Sequence, residues 1–336
     1  MVKYGNIELC DFPLLLAPME DITDPSFRSL CKQQGADLLF TEFISSDGLI
    51  RNAAKSISKL EILNEERPIG IQLYGHLIDS MVEAAKIAEK VDPDFIDLNF
   101  GCPVKKIVNR GAGAGMLKDV HLMAKMTSRV VKAIRLPVTV KTRLGWDESN
   151  LNIIEVAERL QDAGIQAITI HGRTGKQMYR GKADWTLISK VKKNPRMKIP
   201  VFGNGDITEP ETAKLMFDHY GVDGVMIGRG AIGRPWIFKE IKYYLQYEEK
   251  IIPATIREKV DLAKLHLKKS IEWKGEPRGI YEMRRHFSKY FKSLPHFKEI
   301  RSKLLTSHDP EEITGLLNKI AEKYKDLETK KRIIKK

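Results

Sequence analysis

The sequence predicts an α/β fold, a (β/α)8 TIM barrel followed by a C-terminal all-helical bundle. Eight short β-rich runs alternate with helical patterns through the first three quarters of the chain, as parallel βα units require. Together they occupy about 245 residues, which suits a closed barrel better than an open doubly wound sheet. Beyond about residue 250 the pattern is purely helical. The expected division is a barrel over residues 1–247 and a helical region over residues 248–336.

In order, the strand runs are residues 14–19, 36–43, 69–75, 95–100, 138–145, 167–174, 201–207 and 222–228. Between them, Met81, Ala84, Ala85 and Ala88, and later Ile153, Ile154, Ala157 and Leu160, recur at the spacing of one helix face. In the last quarter the apolar series run Ile256, Val260, Ala263, Leu267, Ile271, then Tyr281, Phe287, Tyr290, Phe291, Leu294, then Ile313, Leu316, Leu317, Ile320. Gly275, Pro277, Gly279, Pro295 and Pro310 punctuate them, which reads as three or four packed helices. At helical spacing the aromatic residues read as core rather than as base-stacking platforms.

Composition excludes several classes. The 336 residues are 42% hydrophobic and 30% charged, enough for one large core and a small second one. No stretch reaches the roughly 18 apolar residues that span a bilayer, and Met1 to Asn6 begins no signal peptide. Three cysteines, an odd number, fit a reducing cytoplasm better than a disulfide framework. The histidines are scattered, with no Cys-x-x-Cys and no His-x-x-x-His, so no metal site is expected. No obligate protein partner is evident either. The +13 formal charge is uneven: residues 251–336 hold 22 Lys and Arg against 12 Asp and Glu. That excess reads either as a solvated helical face with a basic tail at 330–336 or as a polyanion-binding module.

The most informative peptide is Asn99-Phe100-Gly101-Cys102-Pro103, where an apolar strand ends abruptly. Gly101 permits unusual backbone angles and Pro103 fixes φ, so the thiol between them sits on a stiff loop. Cys10 and Cys31 have ordinary surroundings by comparison, and Cys102 reads as a catalytic thiol. Other polar residues recur near strand ends: Gln72 in the third run, Asn99 in the fourth, Lys141 in the fifth, His171 in the sixth, and Asn204-Gly205-Asp206 in the seventh. One such group is usually structural. So many at equivalent positions predict a ligand site at the C-terminal face of the barrel.

Gly228-Arg229-Gly230-Ala231-Ile232-Gly233 satisfies the dinucleotide fingerprint G-x-G-x-x-G, with Glu248 about 20 residues on. A Rossmann unit needs another parallel strand after the helix, and more helix follows here. In a barrel the same glycines present backbone N–H groups to a phosphate, with Arg229 supplying charge.

These residues resemble a family. Ala17-Pro18-Met19 with Thr23-Asp24 and Phe27-Arg28, Gln72-Leu73-Tyr74-Gly75, Asn99 to Pro103, Val140 to Trp146, Ile170 to Thr174, Gly203 to Ile207 and Ile227 to Gly230 together are similar to the tRNA-dihydrouridine synthases, closest to the bacterial B-type branch. The resemblance implies FMN, with NADPH or NADH as reductant, and a C-terminal helical domain that docks tRNA. It implies that reduced FMN gives hydride to C6 of a uracil while Cys102 protonates C5 from the opposite side. Asn99 would hold the uracil, with Lys141, His171 and Arg173 against substrate. Pro18, Met19, Glu20 (by its backbone), Gln72, Lys141 and His171 would lie against the flavin, and Asn204, Gly205, Asp206, Gly228 and Arg229 would hold ribityl and phosphate.

The chemistry suits the residues. A free thiol with pKa near 8.5 is mostly protonated at neutral pH, as a general acid should be. A thiolate nucleophile would want a neighbouring cation, and Lys105 and Lys106 leave that open. Two positions depart from what most members show: Glu20-Asp21 replaces small residues, and Phe43 stands where Met is usual. The loop from Arg110 to Met116 is short-sided and reads as a substrate loop that lets RNA backbone approach, against a plain connection. Lys176, Arg180 and Lys182 add charge beside the pocket, placed to meet phosphates. The alternative is an FMN barrel oxidoreductase acting on a free pyrimidine, which the basic helical region disfavours. A non-catalytic RNA-binding protein on the same scaffold is disfavoured by the complete set of site residues.

Overall fold

The computed structural model describes residues 1–292, 294–325 and 327. Its barrel strands are β1 (Leu14–Leu16), β2 (Leu39–Phe40), β3 (Ile69–Tyr74), β4 (Phe95–Asn99), β5 (Val138–Arg143), β6 (Ala167–His171), β7 (Val201–Asn204) and β8 (Gly224–Ile227). Each pairs in parallel with its neighbour from β2 to β8, and β8 pairs with β1. The ring closes at β1 and β2 through a bridge between Leu15 and Leu38, with Leu16 N–H donating to the Leu38 carbonyl at 3.0 Å. Strands buried on both faces read as nearly continuous apolar runs, which is why they were legible.

The second run is not one strand. Within residues 36–43 only β2 is strand, and the separate pair Ile44–Ser45, just beyond the expected run, lies beside β3. Thr41 spans the gap: its N–H donates to the Gly70 carbonyl at 2.9 Å and its hydroxyl accepts from Gln72 N–H at 3.1 Å. A side chain takes over one rung of the ladder. A hairpin ahead of the barrel, Val2–Tyr4 with Ile7–Leu9, lies outside the eight runs and closes the floor. Its inward residues Val2, Tyr4, Ile7 and Leu9 pack with Leu15, Phe40, Phe95 and Phe202.

The main core lies between the strands and the outer helices, among them Ile78–Glu89, Val120–Ala133 and Ile153–Asp162. Helix α1 (Pro25–Gln33) begins with Asp24 accepting from Phe27 N–H at 2.9 Å and Pro25 in the first turn. No strand follows β8 among the described residues; a short turn at Arg229–Ala231 leads into α2 (Ile237–Tyr247). The G-x-G-x-x-G match therefore opens no Rossmann unit.

Four helices follow among the described residues: α3 (Ile256–Lys274), α4 (Arg278–Tyr290), α5 (Lys298–Thr306) and α6 (Pro310–Lys323). A capping box between Thr255 and Glu258 starts α3. These helices enclose a second core that includes Val260, Met283, Phe287, Phe291 and Leu317, and Trp236 joins it from the barrel side. Phe287, Tyr290 and Phe291 are buried as expected, whereas Tyr281 is 42% exposed. The basic tail at 330–336 lies outside the described residues.

The two cores meet along α1. Phe27 stacks on His266 at 5.4 Å between ring centres and lies 4.5 Å from His286. Burial pushes His266 down to about 3, so it stays neutral, and its Nδ1 lies 3.1 Å from the Tyr290 hydroxyl. Buried Lys274 pairs with Asp24 and Glu282, and Arg285 donates to the Asp21 carbonyl at 3.1 Å. Among the described residues, no helix is long and apolar enough to cross a membrane.

Candidate active site

Alternation along the strands sets one residue in two toward the barrel axis. Register then aligns the polar ones: Gln72 opposite Asp97, Asn99 opposite Lys141, and His171 opposite both Arg143 and Asn204. Side-chain bonds join them. Asn99 Nδ2 donates to Gln72 Oε1 at 2.8 Å, Gln72 Nε2 donates to Asp97 Oδ2 at 2.6 Å, and Lys141 Nζ donates to Asn204 Oδ1 at 3.1 Å. Asn204 Nδ2 in turn donates to the Met226 carbonyl at 2.8 Å.

The cysteine loop hangs from this network. Asn99 Oδ1 accepts from Gly101 N–H at 3.0 Å and from Cys102 N–H at 2.8 Å. Arg143 Nε donates to the Gly101 carbonyl at 2.6 Å, and its Nη1 reaches the Thr174 and Met178 carbonyls at 3.0 and 2.8 Å. Cys102 is buried among Ile107 and Ala112, with Phe43 and Tyr74 packed against them. Burial pushes its thiol up, and this outweighs the opposing pull of Arg143 and Lys141. Lys105 and Lys106 are exposed and do not supply the charge a thiolate would need.

The loop after the cysteine packs against protein over much of its length. Residues 112–117 are buried, and Ala114 N–H donates to the Cys102 carbonyl at 2.9 Å. At Gly113, with φ +57, an added Cβ would lie 2.7 Å from that same carbonyl. A small residue is needed at Gly113 because protein backbone comes close, while Arg110 and Gly111 stay exposed.

Across the mouth, Asp206 takes a left-handed conformation with φ 55 and shares its carboxylate. Arg173 Nη2 donates to Oδ2 at 2.8 Å and Arg229 Nη2 to Oδ1 at 3.1 Å. Arg173 is buried, also bonds the Arg180 and Gly181 carbonyls, and lies 3.5 Å from His171 Nε2. Arg229 is exposed, with its guanidinium 5.1 Å from the Tyr179 ring. Gly205 has φ +135, and a Cβ there would meet Ala183 at 2.6 Å and the His171 ring at 3.2 Å. Gly228 faces Ala17 and Met19, where a Cβ would lie 3.4 and 3.5 Å away. Lys176 and Arg180 are exposed, as expected of the β6 loop.

Pro18 and Met19 are half-buried at the end of β1. The Glu20 carboxylate turns to Lys55 at 2.9 Å and to Lys59, leaving its backbone beside the mouth. Oxygens of Glu20, Asp21 and Glu42 lie within 4.8 Å of one another, and Lys55, Lys59 and Arg285 already meet them.

The electrostatics at the mouth have one dominant cause. Burial lowers Lys141 to about 7, Arg143 to about 10 and His171 well below its ordinary value, while it raises Asp97 to about 6. Arg143 has only carbonyl partners, and Arg173 and Arg229 share the one Asp206 carboxylate, so the mouth favours a ligand rich in acceptors or negative charge. The structure brings all the expected site residues to this one mouth. Sequence reasoning passed over Asp97, Thr139 and Arg143. Their signal was period: each lies two residues from a chosen one on the same strand face, and a charged residue inside a buried parallel strand seldom lacks a task.

A closed βα ring with a donor-lined mouth and a shielded thiol defines a barrel of the enzyme class, with its site at the C-terminal face. Comparison with known proteins narrows the class: residues 15–327 match the family described as "Dihydrouridine synthase (Dus)". The chain belongs to that family. It is 40% identical over 325 residues to a protein of Rickettsia conorii named "Probable tRNA-dihydrouridine synthase", covering 96% of each chain. It is 39% identical over 289 residues to "tRNA-dihydrouridine synthase B" of Pseudomonas aeruginosa, covering 86% of each. Among solved structures it is similar in fold to a histamine dehydrogenase from Rhizobium sp. 4-9, with TM-score 0.50 and 14% identity. That match covers 77% of this chain and 48% of the other, so the chain spans about half the length of that structure.

Proposed function

We propose that the protein is a cytoplasmic tRNA-dihydrouridine synthase that reduces the C5–C6 double bond of specific uridines, using FMN with NADPH or NADH as reductant. The observation that carries this reading is the buried, protonated Cys102 on a loop fixed by Asn99 and Arg143, at a mouth lined with donors. Kinship with proteins named for tRNA-dihydrouridine synthesis supports the substrate.

The residues present fit a flavin mononucleotide. Gln72, Asn99 and Lys141 would offer N–H groups to the acceptors of an isoalloxazine, and exposed Arg229 would offer charge to a phosphate. When bound, the reduced flavin supplies hydride for C6 of the uracil. Pro18, Met19 and the Glu20 backbone border it, while His171 stays neutral and presents a hydrogen-bonding ring rather than a charge. Asn204, Gly205, Asp206, Gly228 and Arg229 hold its ribityl and phosphate. Asn99, with Lys141, His171 and Arg173, orients the uracil. Cys102 gives its thiol proton to C5; the raised thiol pKa keeps that proton in place at neutral pH. The excess positive charge of residues 251–336 holds tRNA phosphates.

The test is direct. The purified protein should be yellow, release FMN on denaturation, and with NADPH form dihydrouridine in tRNA lacking it. Colourless protein that FMN cannot reconstitute would overturn the flavin reading. Turnover of free uracil in preference to RNA would move the activity to small molecules.

A further inference from the structure

Asp97 sits below the site with no exposed surface, two residues before Asn99 on the inner face of β4. Its carboxylate accepts from Gln72 Nε2 at 2.6 Å and from the Thr139 hydroxyl at 2.5 Å. A buried carboxylate in a parallel strand is costly, and burial raises it to about 6 against the opposing pull of the Thr139 and Gln72 hydrogen bonds and of Lys141.

The bonds form a chain whose direction is forced from both ends. The N–H groups of Gly101 and Cys102 can only donate, so Asn99 must turn Oδ1 to them. Its Nδ2 then points to Gln72, which must turn Oε1 back, leaving Gln72 Nε2 to donate downward. At that end stands a carboxylate, which accepts. Every donor from the cysteine loop to the floor of the site points toward Asp97.

We propose that Asp97 is a positioning residue that fixes the polarity of the Gln72 and Asn99 amides and, through them, the seat of the Cys102 loop; the proposal rests on the reading of Cys102 as the acid. With polarity fixed, one N–H of each amide is spent within the chain. Among the described residues, the second N–H of each has no protein partner, so toward a ligand these amides can act only as donors, Asn99 at 5% exposure ahead of fully buried Gln72. That matches the carbonyl oxygens of a pyrimidine or an isoalloxazine and rejects a ligand presenting N–H at those points.

A swap of the carboxylate by one place tests this. In Gln72→Glu two carboxylates face each other in a buried contact, where both cannot ionise. The rate of uridine reduction by pre-reduced enzyme should fall by about 10²-fold. Asp97→Asn alone still offers an oxygen to Gln72, and should lose about tenfold or less. In the double variant, Gln72→Glu with Asp97→Asn, the new amide donates to the new carboxylate and accepts from Thr139. Asn99 then keeps its direction, and the rate should rise at least about tenfold above Gln72→Glu. Melting temperature should show the same sign reversal, and RNA affinity should not. Losses that multiply in rate and add in melting temperature would overturn the proposal. Coupling in melting temperature without coupling in rate would make Asp97 merely structural, which also overturns it. A wild-type chain that forms no dihydrouridine sinks the functional reading instead, and the melting cycle still decides whether the polarity chain exists.

Discussion

The two ends of the barrel do opposite work with the same strands. On β4, Phe95 at the lower end packs edge-on to Tyr4 at 6.0 Å and to Phe40 at 5.2 Å, whereas Asn99 at the upper end holds the cysteine loop. On β7, Phe202 faces Tyr4 at 6.3 Å, and two residues later Asn204 meets Lys141. A single inward-facing row thus passes from ring packing to donors and acceptors within a few residues. The difference teaches that function here is a matter of height along the strand, and that mutations at either end should separate activity from stability.

The largest effect belongs to the mouth. Cys102→Ala should slow uridine reduction by roughly 10²- to 10⁴-fold while flavin content, NADPH oxidation and melting temperature stay near wild type. Normal rates of dihydrouridine formation would require another acid. At the floor, Phe95→Ala should cost about 3–5 kcal/mol of stability, measured by denaturant unfolding, with activity per folded molecule at low temperature little changed. If the floor variant stayed stable but lost activity, the contrast between the ends would fail.

A pH titration sharpens the contrast further. Burial lowers Lys141 to about 7 in the folded chain, from an ordinary value of 10.5. Between those values the unfolded chain binds the extra proton, so Lys141 makes stability rise with pH from about 7 to about 10. The advantage in flavin-free melting temperature of Lys141→Met over wild type should therefore narrow as pH goes from about 6 to about 9. A gap that does not change with pH would mean that Lys141 is not strained by burial. The smallest effect on the chemistry should come from salt. Raising it from about 50 to about 200 mM should weaken tRNA binding by an order of magnitude or more, and leave the rate at saturating RNA nearly unchanged.

Much of this was legible in the sequence because parallel strands buried on both faces leave continuous apolar runs. The exceptions have physical causes. The run at 36–43 forms strand only at Leu39–Phe40, because Thr41 beyond it accepts from Gln72 N–H with its hydroxyl, and the next pairing with β3 waits until Ile44–Ser45. The hairpin at Val2–Leu9 alternates correctly around Gly5-Asn6, but its value lies in plugging a floor built from β1, β2, β4 and β7, which no local pattern shows. At the mouth, the Gly101-Cys102-Pro103 loop stood out in the sequence, although Gly101 takes no left-handed φ in the structure and the loop is held by Asn99 and Arg143 instead. Asp97 and Arg143 act through backbone and amide partners 25 to 42 positions away in sequence, so their tasks appear only once the strands are aligned.

The grip of the C-terminal helices on the start of α1 has a mechanical consequence. Lys274 clamps Asp24, Arg285 holds the Asp21 carbonyl, and Phe27 is wedged against two histidine rings, all within a few residues of Met19. The helical module is bolted to the rim of the barrel, with its fasteners beside the cavity. On the proposed function, a tRNA seated on those helices is held at a set offset from Cys102, and the point on it that meets the thiol is chosen by length, as a jig decides where a drill enters the work.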